Sequence, residues 1–106
     1  MSELGDLQKA FARTLANFLV WLQAQPGVTI TLGDVQARDG HMANSCHYCR
    51  LAADVNLFID GVYQTTTEAH RPYGEYWERM HPAARWGGHF PNPDGNHYSF
   101  AYQGRA

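Results

Sequence analysis

Leu51-Ala52-Ala53-Asp54-Val55-Asn56-Leu57-Phe58-Ile59-Asp60-Gly61-Val62-Tyr63 is the stretch that decides the fold. Residues 51–59 alternate with a period of two. Ala53, Val55, Leu57 and Ile59 fall on one face of a strand, and Ala52, Asp54, Asn56 and Phe58 on the other. Asp60-Gly61 is a favoured pair for a two-residue hairpin turn, so a partner strand is predicted over about Val62 to Thr65. One residue breaks the apolar pattern. Asp54 is a carboxylate inside the strand, and an ionised carboxylate there is expensive unless it is paired or binds a metal.

Working outward, Leu7, Phe11, Leu15, Phe18 and Leu22 recur at helical spacing, which predicts a helix from about Gly5 to Gln25 that stops at Pro26-Gly27. Val28, Ile30 and Leu32 alternate with threonines and predict a short half-buried strand. Residues 35–48 have no clean period and read as an ordered loop. Thr67 can cap a second helix over about Glu68 to Met80, carrying Tyr73, Tyr76, Trp77 and Met80, with His81-Pro82 at its end. Residues 85–96, rich in Gly and Pro, are expected as loop. His97 to Tyr102 alternates and predicts a last strand. The sum is an α+β fold, a small mainly antiparallel sheet flanked by helices, with residues 1–106 as a single domain.

Composition narrows the function. The chain has 106 residues, 44% of them hydrophobic, which excludes the disordered class. Only 17% are charged and the formal net charge is -2, which argues against nucleic-acid binding driven by bulk positive charge. The N-terminus opens acidic and lacks a small-residue cleavage site, and no apolar run approaches a membrane span, so a cytoplasmic protein at synthesis, without membrane insertion, is expected. Six histidines are the unusual count.

Two polar clusters carry the chemistry: Ser45-Cys46-His47 leading to Asp54, and Asp94-Gly95-Asn96-His97. If the strands that follow His47 and begin at His97 are neighbours, His47, Asp54 and His97 converge. Two imidazoles and a carboxylate with one open position make the ligand set of a catalytic zinc site. Asp94, on the same tight turn as His97, can then act as general base toward a water at that site.

The spacing Ser-x-His-x(6)-Asp, with Leu51-Ala52-Ala53 before the Asp, Trp86-Gly87-Gly88 and then Asp94-x-x-His97, resembles the zinc D-Ala-D-Ala carboxypeptidases and L-alanyl-D-glutamate endopeptidases, the VanY-like and phage-endolysin family. The resemblance runs from about Thr31 to the end of the chain. It implies a hedgehog/DD-peptidase-like fold, Zn2+ held by His47, Asp54 and His97, Asp94 as the catalytic base, and Ser45 lining the site. It further implies a peptidoglycan peptide as substrate and action on the cell wall after release; the chain itself is expected to be a monomer. The chain departs from the family in three places. Arg50 stands where many relatives have Gly. His89 follows Trp-Gly-Gly where a charged residue is common. The helical insert that brings a substrate-gripping Arg is reduced to residues 36–44, which leaves Arg38 and His41 as candidates for that task, with His89 as a further substrate contact.

Plainer assignments compete at several positions. His70 and His81 are expected at the surface or as caps, and Trp77, Tyr73 and Tyr76 in the core. Trp86 suits a cleft wall and core packing equally. Cys46 and Cys49 form a Cys-x-x-Cys pair, but a thioredoxin-type site needs a helix after it, and here a strand follows; buried packing is the expectation for the thiols. Besides the peptidase, two other functions fit the residues: a non-catalytic zinc-binding module on the same scaffold, and a dithiol redox protein.

Overall fold

The computed structural model describes residues 2–33 and 49–106. The first helix, α1, spans Glu3–Gln23. It starts two residues earlier than the apolar stripe predicts, because the Ser2 hydroxyl accepts the Gly5 N–H at 3.0 Å and caps it. Its buried residues are Phe11, Phe18 and Leu22, one face of the helix. The strand β1, Val28–Leu32, follows the turn at Gly27, where φ is 73°. Ala52–Ile59 forms β2, and Asp60 and Gly61, with φ of 51° and 80°, turn the chain into β3 at Val62–Tyr63. Both turn residues take the positive φ that a type I′ hairpin demands. The partner strand is shorter than the predicted Val62 to Thr65.

The second helix, α2, spans Thr67–Met80, and its cap is Thr66 rather than Thr67: the Thr66 hydroxyl accepts the Ala69 N–H at 3.2 Å. Residues 85–96, expected as loop throughout, begin with β4 at Ala84–Trp86, followed by a single 3-10 turn at Gly87–His89. Ala84 and Trp86 are buried opposite Phe100 and Tyr98, and that burial makes a strand of a stretch too short for its periodicity to show. The last strand, β5, is His97–Phe100.

Among the described residues five strands run in the order β1-β2-β5-β4, with β3 also on β2. All pairings are antiparallel. The α+β class expected from the sequence is the observed one. β1 takes one edge of β2; β5 and β3 share the other, β5 at Ala52–Asp54 and β3 at Phe58–Ile59. The helices meet one face of the sheet. There Phe18 packs on Trp77 and Tyr98 at centroid distances of 5.2 and 5.1 Å, and Phe11 packs edge-on to Phe100 at 5.3 Å. Trp77 is fully buried, as expected, and its indole N–H donates to the carbonyls of Arg85 and Ser99. Among the described residues no helix is long and apolar enough to cross a membrane.

Candidate metal centre

The pleat decides what the second face of the sheet carries. Tyr98 and Phe100 point to the helices, so His97 and Ser99 point the other way. Asp54 is paired directly with His97 in the β2–β5 register, which brings their side chains to the same face. His97 Nδ1 lies 3.7 Å from Asp54 Oδ1, both side chains largely withdrawn from solvent. Asp94, exposed on the turn before β5, completes a cluster: one donor atom from each of Asp54, Asp94 and His97 lies within 4.8 Å of the others.

Trp86-Gly87-Gly88 holds that turn in place. The Gly87 carbonyl accepts the N–H groups of Phe90 at 3.1 Å and Asp94 at 2.9 Å, and the Asp94 carbonyl accepts the His97 N–H at 3.2 Å. A Cβ on Gly87 would collide with the Asp94 carbonyl and stand 2.9 Å from the His97 Cβ. Trp86, fully buried against Gly74 and Gly88, donates its indole N–H to the Gly95 carbonyl at 2.7 Å. Of the two expectations for Trp86, packing is the one observed, and the packing sets the height of the turn that carries Asp94.

Two carboxylates and an imidazole are hard-to-borderline donors suited to zinc and to other divalent first-row metals. Ligands of a tetrahedral zinc stand about 3.4 Å apart, so the 3.7 Å between Asp54 and His97 needs only a small closure. Asp54, Asp94 and His97 therefore lie close enough to hold a metal ion.

Arg38, His41, Ser45, Cys46 and His47 lie outside the described residues. His89 is held beside α2: its Nδ1 is 2.8 Å from Glu78 Oε1 and its Nε2 3.8 Å from Glu75 Oε2. Cys49 is buried and receives a hydrogen bond from Arg105 Nη1 at 3.3 Å. His81 caps as expected, its Nδ1 accepting the Ala83 N–H at 3.0 Å.

His70 departs from its expected place at the surface or a cap. It is only 4% exposed, and its Nδ1 lies 2.9 Å from the Tyr98 hydroxyl. Burial holds its pKa down at about 4, and burial likewise raises that of Tyr98. The signal was present in the spacing, since His70, Gly74 and Trp77 are the buried residues of α2 and stand at i, i+4 and i+7. An open cleft of about 240 Å³ lies beside the metal cluster, between Tyr63–Thr67 and Pro93–Asn96, with His70 in its lining.

No protein-family model matches the chain, and no curated protein matches it.

Proposed function

We propose that the protein is a zinc peptidase that hydrolyses peptidoglycan stem peptides, an endolysin-type enzyme cutting either the L-Ala-D-Glu or the D-Ala-D-Ala bond. The observation that carries the proposal is the convergence of Asp54, Asp94 and His97 across the β2–β5 register. The sequence spacing around them, with His47 seven residues before Asp54, supports it. His47, Asp54 and His97 would hold the metal, which when bound supplies Lewis acidity for the peptide carbonyl and lowers the pKa of water at the site. Asp94 is exposed at the rim of the cluster, where it takes the proton of the attacking water and returns it to the leaving amine. Asp54 and His97, largely buried, are the residues suited to binding rather than proton traffic.

Purified peptidoglycan incubated with the protein, with and without a chelator, and analysed by mass spectrometry tests activity, metal dependence and the bond cut. One zinc per chain and chelator-sensitive release of stem-peptide fragments are expected. Absence of zinc at neutral pH, or wall hydrolysis by His97→Ala, would overturn the proposal. Asp94→Asn separates base from ligand. As base, its loss lowers kcat by about 10²–10⁴-fold with zinc retained; as ligand, its loss removes the metal.

A further inference from the structure

The cleft beside Asp94 has a donor built into its wall. Tyr98 is 1% exposed, and its hydroxyl has His70 Nδ1 as its partner. A buried phenol leaves a proton unsatisfied unless it donates, and Nδ1 is the acceptor within reach. Donation from Tyr98 to Nδ1 places the imidazole proton on Nε2. With Nδ1 engaged by Tyr98, Nε2 is the ring nitrogen left available to the cleft that His70 lines. The same cleft is lined by Thr66 and Thr67, the cap and first residue of the 14-residue α2; the Thr66 hydroxyl takes the Ala69 N–H, and the positive end of the helix at Thr67 favours an anion. Glu68, the acid of that first turn, is bound by Arg71 at 2.7 and 2.9 Å and takes no part in the lining. Asp94 is the acid that does line it, and it belongs to the candidate metal cluster, where a bound cation would offset its charge.

We infer that the cleft takes a carboxylate of the substrate next to the bond that is cut, with His70 Nε2–H and the N-terminus of α2 as its donors and Tyr98 as the residue that positions His70. The inference rests on the peptidase proposal for the identity of its substrate. A stem peptide offers that carboxylate in two places, the α-carboxylate of a γ-linked D-Glu and the C-terminus of D-Ala-D-Ala.

Two peptide pairs distinguish them: acetyl-L-Ala-γ-D-Glu-L-Lys with the D-Glu α-carboxylate free or amidated, and acetyl-L-Lys-D-Ala-D-Ala with its C-terminus free or amidated. With the zinc-loaded protein, the free acid of one pair is expected to show a KM lower than its amide by about tenfold, the scale of one charge-assisted hydrogen bond. The same acid should move the ¹⁵N resonance of His70 Nε2, and the amide should not. His70→Phe is expected to erase the discrimination between acid and amide. Tyr98→Phe, which keeps the ring and its packing, should reduce it, so the test survives if His70→Phe fails to fold. Cleavage with equal KM for acid and amide in both pairs overturns the inference and leaves the peptidase proposal standing. A His70 shift with the free acids but no cleavage of any peptide does the reverse. Neither cleavage nor shift removes both.

Discussion

His70 is held neutral by its surroundings, and this gives the molecule a pH dependence that belongs to one residue. The residue is 4% exposed, and burial lowers its pKa from 6.5 to about 4. Between those two values the unfolded chain binds a proton that the folded one refuses, so stability rises with pH across that window. The contribution is fully present above pH 6.5 and is lost as pH falls toward about 4, about 3 kcal/mol at the full shift. Urea unfolding of the wild type and of His70→Phe at pH 7.5 and pH 4.5 isolates it. The wild type is expected to lose about 2–3 kcal/mol more than the variant over that interval. An equal loss in both would mean that His70 is charged in the folded protein. The spacing to Gly74 and Trp77 marks His70 for the buried face, but its partner was not legible, because Tyr98 comes from β5 and a long-range contact leaves no local trace. Asp54 was legible for the opposite reason: a carboxylate in an apolar run is an anomaly within its own neighbourhood.

At the scale of elements, β2 and its hairpin could be read from the chain because each residue of Ala52–Ile59 reports its own face and Asp60-Gly61 supplies the turn chemistry locally. α2 was legible apart from its cap, where Thr65, Thr66 and Thr67 offer three equivalent hydroxyls and only the backbone selects Thr66. β4 was not legible, since three residues followed by two glycines carry no period, and its strand character comes from pairing with β5. The functional meaning of that element lies in Gly87, whose lack of a side chain lets the turn at Asp94 sit against it. Gly87→Ala is expected to push the turn outward, destabilise the fold by about 1–3 kcal/mol and weaken zinc binding. Gly104→Ala serves as the comparison, because a Cβ there meets no neighbour. Its positive φ of 77° costs stability without touching the site, so it should leave zinc affinity unchanged. Isothermal titration of zinc into the two variants, alongside denaturant unfolding, separates strain in the backbone from displacement of the donors. Equal zinc affinity in Gly87→Ala and the wild type would detach Gly87 from the site.

Over the whole molecule, the strand order makes the candidate metal centre a structural joint. β5 follows β4 along the chain yet lies between β2 and β4, so the sheet is complete only when β5 has inserted. Asp54 on β2 and His97 on β5 face each other at one end of that pairing, and Asp94 holds the incoming turn. An ion bound by donors on both strands therefore favours the folded sheet over the unfolded chain, where the donors are far apart. Binding to the folded state alone stabilises by RT ln(1 + [Zn]/Kd), about 4 kcal/mol at a thousandfold excess over Kd. For a domain near this size, each kcal/mol moves Tm by about 4–8 °C. Thermal unfolding is thus expected at a distinctly higher Tm with zinc than with a chelator, the shift growing with the logarithm of free zinc. Asp54→Ala should flatten that dependence, and so should His97→Ala. A Tm independent of zinc in the wild type would mean that the two strands do not share an ion, whatever activity the protein has. A zinc-dependent Tm that survives in both variants would place the metal elsewhere in the chain.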